Sequence, residues 1–324
     1  METPAPARES ADALLRHLEW TVIRRLDGLL QGDYRTLWRG AGLDLADLRE
    51  YQHHDDVRHI DWNVTARLQQ PYVRQFTEDR ELGAWFLLDL SASVDFGSNQ
   101  TTKRRVAREF VAVLARLLTR HGNRVGALLY GNAVDTMVPA RSGRQHVLEL
   151  LQRMECRPEE TAPGATQLRE LLHAAHNVVR RRSTVFVVSD FISAPGWEKA
   201  LAQLALRHDV TAVRLSDPLE TDLPDLGLIT MRDAETGEQI VVDTHDKGFR
   251  KRFAAAARQR EEALLAALAH AGVDTLELGT DDDLLVAVLR FAELRKQRSR
   301  LANWSGQPTR SGGVGSHLSA LAAN

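Results

Sequence analysis

The stretch Ala84-Trp85-Phe86-Leu87-Leu88-Asp89-Leu90-Ser91-Ala92-Ser93 joins an apolar run to a polar loop. The apolar run Trp85–Leu88 lies between Gly83 and Asp89, which is typical of a parallel strand buried on both faces. The apolar stripe that follows predicts a helix over residues 102–121. This order of strand, loop and helix predicts that the loop beginning at Asp89 lies at one edge of a sheet.

The same alternation continues along the chain. Further strands are predicted over 124–130, 133–138, 184–189, 209–215 and 273–278, further helices over 143–154, 166–181, 196–207, 247–270 and 282–297, and a hairpin over Leu223–Val242 with Glu235-Thr236-Gly237 at its turn. Strands alternating with helices of these lengths predict an α/β fold, a mainly parallel sheet with helices on both faces. In such sheets the ligand site lies beyond the carboxyl ends of the strands, near the point where the strand order reverses.

The regions that flank this domain have different patterns. We expect three parts: 1–80, an N-terminal helix over 9–31 and an irregular segment with one or two short strands packed on the core; 81–297, the α/β domain; and 298–324, a tail. In the first part, Trp62 is expected to pack within the irregular segment. The tail is rich in Ser, Gly and Asn, a composition that predicts disorder.

Composition and charge exclude several classes of function. The net charge of −2 gives no reason to expect a nucleic-acid surface or an anionic membrane as the partner. The apolar runs are far shorter than the roughly 20 residues that span a bilayer, so no membrane insertion is expected. Met1–Arg8 lacks the layout of a signal peptide, and Cys156 is the only cysteine. These features predict a cytoplasmic protein.

Oxygen-bearing side chains gather after two of the predicted strands. Alternate residues of the first loop, Asp89, Ser91 and Ser93, can direct three oxygens to one side, while Thr166 begins a later helix and Asp190 follows the strand 184–189. Carboxylates and hydroxyls are hard ligands, suited to Mg²⁺, Mn²⁺ or Ca²⁺. The alternative is that the serines only cap the helix that follows them, since Asp and Ser are common helix caps.

The pattern of an Asp-x-Ser-x-Ser loop, a distant Thr and a distant Asp resembles the metal-ion-dependent adhesion site (MIDAS) of von Willebrand factor A domains. That resemblance implies a von Willebrand factor A-like fold. It also implies that four residues approach the metal directly or through water, and that a fifth approaches through water: Asp89, Ser91, Ser93 and Thr166, and then Asp190.

A second resemblance covers most of the chain. Several strings of residues are similar to the bacterial domain-of-unknown-function family fifty-eight, together with the Asp-x-Ser-x-Ser loop: Leu26–Leu30, Gly32–Tyr34, Arg49–Tyr51, Asp55–Trp62 and Thr65–Arg67. One departure is His54, at a position where the family commonly has Gly before the paired aspartates. The resemblance implies association with AAA+ ATPases of the MoxR type.

A cluster of His and Asp residues within the irregular segment allows two interpretations. Its members, which could bind zinc, are His53, His54, Asp55, Asp56, His59 and Asp61. Five arginines lie near them in the sequence, namely Arg49, Arg58, Arg67, Arg74 and Arg80. Arg–carboxylate pairs that fix irregular backbone are the simpler interpretation, and the zinc site remains the alternative.

Together these patterns favour a metal-dependent protein-binding module, an adaptor or co-chaperone that works with a MoxR-type ATPase and is not an enzyme. The alternative is a Mg²⁺-dependent phosphohydrolase of haloacid-dehalogenase type, which also has an Asp at a strand end. Such enzymes need a second Asp two residues later as acid and base, and this chain has Ser91 there. The sequence has no P-loop motif either, so the chain is not expected to be an ATPase itself.

Overall fold

The computed structural model describes residues 10–29, 47–52, 60, 62–75, 83–98, 101–156, 166–232 and 238–305. Its strands are β1 (Asp47–Glu50), β2 (Tyr72–Gln75), β3 (Gly83–Asp89), β4 (Arg124–Tyr130), β5 (Val134–Arg141), β6 (Thr184–Ser189), β7 (Asp209–Ser216), β8 (Leu228–Arg232), β9 (Gln239–Asp243) and β10 (Asp274–Gly279). Its α-helices are α1 (Ala11–Leu18), α2 (Arg24–Leu29), α3 (Trp62–Leu68), α4 (Lys103–Arg120), α5 (Arg144–Glu155), α6 (Leu168–Val178), α7 (Trp197–Arg207), α8 (Lys247–His270) and α9 (Leu284–Ser305).

The central sheet has six strands in the order β10-β7-β6-β3-β4-β5. All neighbouring pairs are parallel except β4 and β5, which are antiparallel. The chain moves outward from β3 to β4 and β5, then returns to the other side of β3 with β6, so the strand order reverses between β3 and β6. The predicted α/β class, a mainly parallel sheet with helices on both faces and an N-terminal helix, is confirmed.

Alternate residues of β3 enter two apolar cores, one on each face of the sheet. Phe86 and Leu88 lie in the core beneath α1, α4 and α5, whereas Leu87 lies in the core beneath α6 and α7. The ring of Phe86 stacks on that of Phe186 in β6, with centroids 5.2 Å apart. Burial on both faces explains why the strand is an unbroken apolar run, and it fixes the position of the loop that begins at Asp89.

The N-terminal helix differs in one respect from the uniform helix predicted over 9–31. A π-helical turn over Glu19–Ile23 separates α1 from α2. Leu18 and Ile23 are both buried although five residues apart, and the wider turn brings Ile23 back to the face that Leu18 occupies. This face packs on α4 and α5 as part of the larger core.

The irregular segment is partly described. β1 and β2 form an antiparallel pair, which confirms the expected short strands, while α3 was not predicted. The expectation that Trp62 packs within the segment is wrong, because Trp62 begins α3 with 69% of its surface exposed. The His53–Asp61 cluster lies outside the described residues apart from Ile60, so both interpretations of it remain predictions, as do the domain boundaries at 80 and 81.

The C-terminal half follows the predicted order of elements. β8 and β9 pair as the expected hairpin, whose turn at Glu235-Thr236-Gly237 lies outside the described residues. Helix α9 continues to Ser305, past the predicted helix end at 297. Residues 306–324 lie outside the described residues, so the predicted disorder of the tail stays a prediction. Within the described part of the chain, no helix combines the length and apolar character needed to cross a membrane.

Candidate metal centre

Two of the proposed ligands lie on either side of the point where the strand order reverses. Asp89 ends β3, and Asp190 directly follows β6, the strand that pairs in parallel with β3. The carboxyl ends of parallel strands lie at the same edge of the sheet, so the two carboxylates face one loop region. Both are buried, with Asp89 0% and Asp190 4% exposed.

The Asp-x-Ser-x-Ser loop turns back toward its own carboxylate. The backbone N–H of Ser91 donates to Asp89 Oδ1 at 3.0 Å, and the hydroxyls of Ser91 and Ser93 lie 3.2 Å apart. Both serines are buried. Asp89, Ser91 and Ser93 therefore lie together, as the motif predicts.

The helix-cap alternative for these serines does not fit the geometry. Helix α4 is capped by Thr102, whose hydroxyl accepts a hydrogen bond from the Arg105 N–H at 3.2 Å. Ser91 precedes a short 3₁₀ helix, Ala92–Asp95, but its side chain makes no capping hydrogen bond there. The hydroxyls of Ser91 and Ser93 contact each other instead, so their orientation is not explained by capping.

A serine that sequence reasoning did not single out links the Asp89 carboxylate to the turn after β6. Ser189, the last residue of β6, donates its hydroxyl hydrogen to Asp89 Oδ2 at 2.7 Å and accepts from the Phe191 N–H at 2.8 Å. Phe191 has a φ of 59°, a strained conformation for a bulky residue. Its buried ring packs on Trp197, with centroids 5.3 Å apart, which holds the turn around Asp190 in place.

Thr166 is brought to the same edge by contacts on both sides of it. Its backbone carbonyl accepts from the Ala194 N–H and from the Ser193 hydroxyl, each at 2.8 Å, on the loop that begins at Asp190. The next residue, Gln167, donates its N–H to the Tyr130 hydroxyl at 2.9 Å. Tyr130 pairs with Asp89 across β3 and β4. Thr166 is therefore fixed between the strand ends that carry the motif.

The electrostatics of Asp89 test whether a cation fits this site. Burial, and then the neighbouring charge of Asp190, raise the pKa of Asp89 to about 6. The ionised form is therefore costly in this environment, and a cation beside it would offset that cost. The donor set is made of carboxylate and hydroxyl oxygens, which suits Mg²⁺, Mn²⁺ or Ca²⁺.

The same donor set is poorly suited to a softer metal. Across the described residues, no group of three or more His, Cys, Asp or Glu side chains is placed to hold a metal ion. The candidate centre has two carboxylates and relies on hydroxyls for its remaining oxygens. It fits a hard divalent ion that keeps some of its waters, as Mg²⁺ usually does.

A buried lysine adjoins the centre and was missed by sequence reasoning. Lys103, the first residue of α4, donates from Nζ to Asp190 Oδ2 at 2.7 Å and to Glu220 Oε1 at 2.5 Å. The signal in the sequence was a lysine directly after the cap Thr102. A cation there is repelled by the positive end of the helix dipole, so the position of this lysine requires a separate explanation.

Two further side chains hold the motif loop on the domain. Arg104 donates to the Leu90 carbonyl at 3.1 Å and binds the Asp95 carboxylate. Asp217, which follows β7, accepts from both the N–H and the hydroxyl of Ser98, at 2.7 and 2.8 Å. These contacts hold the loop at Leu90, Asp95 and Ser98, on either side of Ser91 and Ser93.

The family model that matches the chain is described as "Protein of unknown function DUF58" and covers residues 47–263. Among curated proteins, the uncharacterized protein Rv1480 of Mycobacterium tuberculosis (strain H37Rv) is 39% identical over 286 residues, which are 88% of this chain and 90% of that protein. The uncharacterized protein MAV169 of Mycobacterium avium is 32% identical over 164 residues, 50% of this chain and 95% of that protein.

Solved structures with similar folds have low sequence identity to this chain. An aerotolerance-related membrane protein from Bacteroides fragilis gives a TM-score of 0.43 at 14% identity, over 68% of this chain and 99% of that chain. BatB from Bacteroides thetaiotaomicron gives 0.42 at 16% identity, with the same coverage. The SpRpn10 VWA domain gives 0.38 at 14% identity, over 65% of this chain and 95% of that chain.

Proposed function

We propose, from the premise that this chain belongs to the family described as protein of unknown function DUF58, that it is a metal-dependent protein-interaction module rather than an enzyme. A divalent ion would be held by Asp89, Ser91, Ser93 and Thr166, with Asp190 acting through water. The partner would provide an acidic side chain, and the resemblance to the family makes a MoxR-type AAA+ ATPase the expected partner.

The observation that supports this proposal most strongly is the environment of Asp89. Its carboxylate is fully buried, its pKa is raised, and the carboxylate of Asp190 lies close by. A protein that used Asp89 only to stabilise its fold would gain from an uncharged residue there, because burying like charges costs free energy. A divalent ion would supply the missing positive charge and an open coordination position for a carboxylate.

Each proposed ligand contributes to metal binding in a different way. Asp89 provides charge, and the paired hydroxyls of Ser91 and Ser93 provide neutral oxygens 3.2 Å apart. Asp190 keeps both of its oxygens in contacts, with the Ile192 N–H and with Lys103, which favours a role through water rather than direct ligation. Few carboxylates therefore neutralise the site, and an acidic group of a partner is attracted to it.

Co-purification with the cognate MoxR-type ATPase tests the proposal. We expect the double variant Ser91→Ala, Ser93→Ala to lose more than about tenfold in affinity, since a desolvated charged contact is typically worth about 2–5 kcal/mol and 1.4 kcal/mol is a factor of ten. EDTA should have the same effect on the wild-type chain. Circular dichroism should show a native fold in each sample.

A matched control is Ser142→Ala. Ser142 is exposed and follows β5, which runs antiparallel, so it lies away from the edge that carries Asp89. This variant should bind the ATPase as the wild type does. Equal recovery of the ATPase with wild type, double variant and EDTA-treated chain would show that the metal centre does not mediate binding.

The phosphohydrolase alternative gains no support from the geometry. The position where such an enzyme needs its acid and base is Ser91, whose hydroxyl contacts Ser93. A phosphatase screen with Mg²⁺, using Asp89→Asn as the control, separates the two classes. We expect no activity above that of Asp89→Asn, and turnover that requires Asp89 would favour the enzyme.

A further inference from the structure

Lys103 occupies an unfavourable place for a cation unless something compensates it. It lies at the positive end of α4, and its side chain is 0% exposed. Its ammonium group donates to the carboxylates of Asp190 and Glu220, at 2.7 and 2.5 Å. The buried charge is therefore fixed between two carboxylates.

The two carboxylates differ in their surroundings. The side chain of Asp190 is 1% exposed and that of Glu220 is 27% exposed. Glu220 is also held by the Asp217 N–H, which donates to its other oxygen at 3.1 Å. Lys103 thus spans from the candidate metal centre to the loop after β7. Its ammonium group contacts Asp190 directly.

Any divalent ion attracted to Asp190 must share that carboxylate with the Lys103 ammonium. One oxygen of Asp190 accepts from Lys103 and the other accepts from the Ile192 N–H at 3.0 Å. A positive charge in contact with a ligand carboxylate weakens the pull of that carboxylate on a second cation. The contacts of Lys103 therefore bear directly on how tightly the centre binds metal.

We propose that Lys103 is a resident counter-cation, a positioning residue that limits the affinity of the centre for divalent ions. By holding Asp190 it keeps that carboxylate from ligating the ion directly, and it leaves more of the ion's charge for a partner's carboxylate. The inference rests on the proposed function, because it concerns the same metal centre. It predicts that affinity for metal increases when the lysine charge is removed.

Calorimetric titration of the full chain with Mg²⁺ tests this inference through variants with opposite expected signs. Lys103→Met should bind Mg²⁺ at least about tenfold more tightly than the wild type, a change of about 1.4 kcal/mol. Glu220→Gln removes the second partner of the ammonium and leaves its charge to Asp190 alone. That variant should bind Mg²⁺ more weakly than the wild type.

Arg105→Met is the matched control. It removes a neighbouring cation from the same helix turn, but one that pairs with Glu109 and is exposed. Its effect should be small, because exposed charges are screened by solvent. A purely structural role of Lys103 would lower thermal stability without raising the affinity for Mg²⁺, so melting temperatures with and without Mg²⁺ accompany each titration.

The outcomes separate this inference from the proposed function. If Lys103→Met binds Mg²⁺ no more tightly than wild type while Asp89→Asn abolishes binding, the counter-cation role is wrong and the metal centre stands. If Asp89→Asn binds Mg²⁺ as the wild type does, both proposals are wrong. If Lys103→Met does not fold, unchanged or tighter binding by Glu220→Gln overturns the inference.

Discussion

Asp89 and Asp217 lie at the carboxyl ends of two strands of one sheet, and both are fully buried, but they are surrounded differently. Asp217 accepts from the Ser98 N–H and hydroxyl, from the Thr280 hydroxyl at 2.6 Å and from the Leu219 N–H at 2.9 Å. Although burial raises its pKa, these donors, led by Thr280, outweigh burial and lower it. At Asp89 the balance is opposite: burial and Asp190 dominate, and the pKa is raised.

This difference separates a carboxylate that holds the fold from one that is available to a ligand. A buried carboxylate with a complete set of donors is satisfied by the protein and has little to gain from a cation. A buried carboxylate beside a like charge is under-compensated, and such groups cluster at functional sites. The comparison therefore indicates a structural role for Asp217 and supports the proposed metal binding at Asp89.

The largest effect on stability is expected from Asp217→Ala. The substitution removes the acceptor for two backbone N–H groups and two hydroxyls, and each unsatisfied buried group costs about 1–3 kcal/mol. We expect the free energy of unfolding in urea to fall by about 3 kcal/mol or more. Asp222→Ala, an exposed residue in the same loop, is the control and should change it by less than about 0.5 kcal/mol. Similar free energies of unfolding for the two variants would show that Asp217 does not have this structural role.

A smaller effect of opposite sign is expected from Asp89→Asn in metal-free protein. The amide keeps the shape of the side chain but removes a charge that burial and Asp190 disfavour. Since one pKa unit corresponds to about 1.4 kcal/mol, the free energy of unfolding should rise by roughly 1–3 kcal/mol at pH 8. Urea denaturation in EDTA measures it. A loss of stability would mean that the Asp89 charge is already compensated by the protein.

The smallest expected effect is in the pH dependence of stability, to which Asp89 and Asp217 should contribute with opposite signs. A folded-state pKa raised to about 6 means that Asp89 favours the folded state at low pH, and that this contribution is lost as pH rises from about 4 to about 6. The lowered pKa of Asp217 gives the reverse: its contribution is present above about pH 4 and is lost on acidification. Each contribution is measured in EDTA as the difference in unfolding free energy between the wild type and the corresponding Asp→Asn variant. If the two differences changed in the same direction with pH, the comparison would be contradicted.

The sequence was sufficient to predict the sheet and the placement of Asp89 and Asp190 at one of its edges. A continuous apolar run ending at Asp89, and another ending just before Asp190, determined which side chains lie at one edge, because parallel strands share their carboxyl ends. The hydroxyl pairing of Ser91 and Ser93 followed from a spacing of two residues. Local patterns of this kind depend on neighbours in the chain.

The supporting contacts could not be predicted in this way. Lys103 meets Glu220 across 117 residues of sequence, and Ser98 meets Asp217 across 119. Such contacts depend on how loops pack at the sheet edge, which periodicity does not encode. The prediction that Trp62 packs within the irregular segment was wrong for a related reason. An aromatic side chain suggests a core, but its burial depends on whether another element covers it.

Calorimetric titration of Mg²⁺ into wild type, Asp89→Asn and Asp217→Asn tests the central claim most directly. We expect one weak site in the wild type, loss of that site in Asp89→Asn, and retention of it in Asp217→Asn, because Asp89, unlike Asp217, lacks sufficient compensation from the protein. Mn²⁺ should bind to the same two proteins and not to Asp89→Asn. Equal binding by wild type and Asp89→Asn, with both folded by circular dichroism, would contradict the claim that this buried carboxylate is kept for a metal ion.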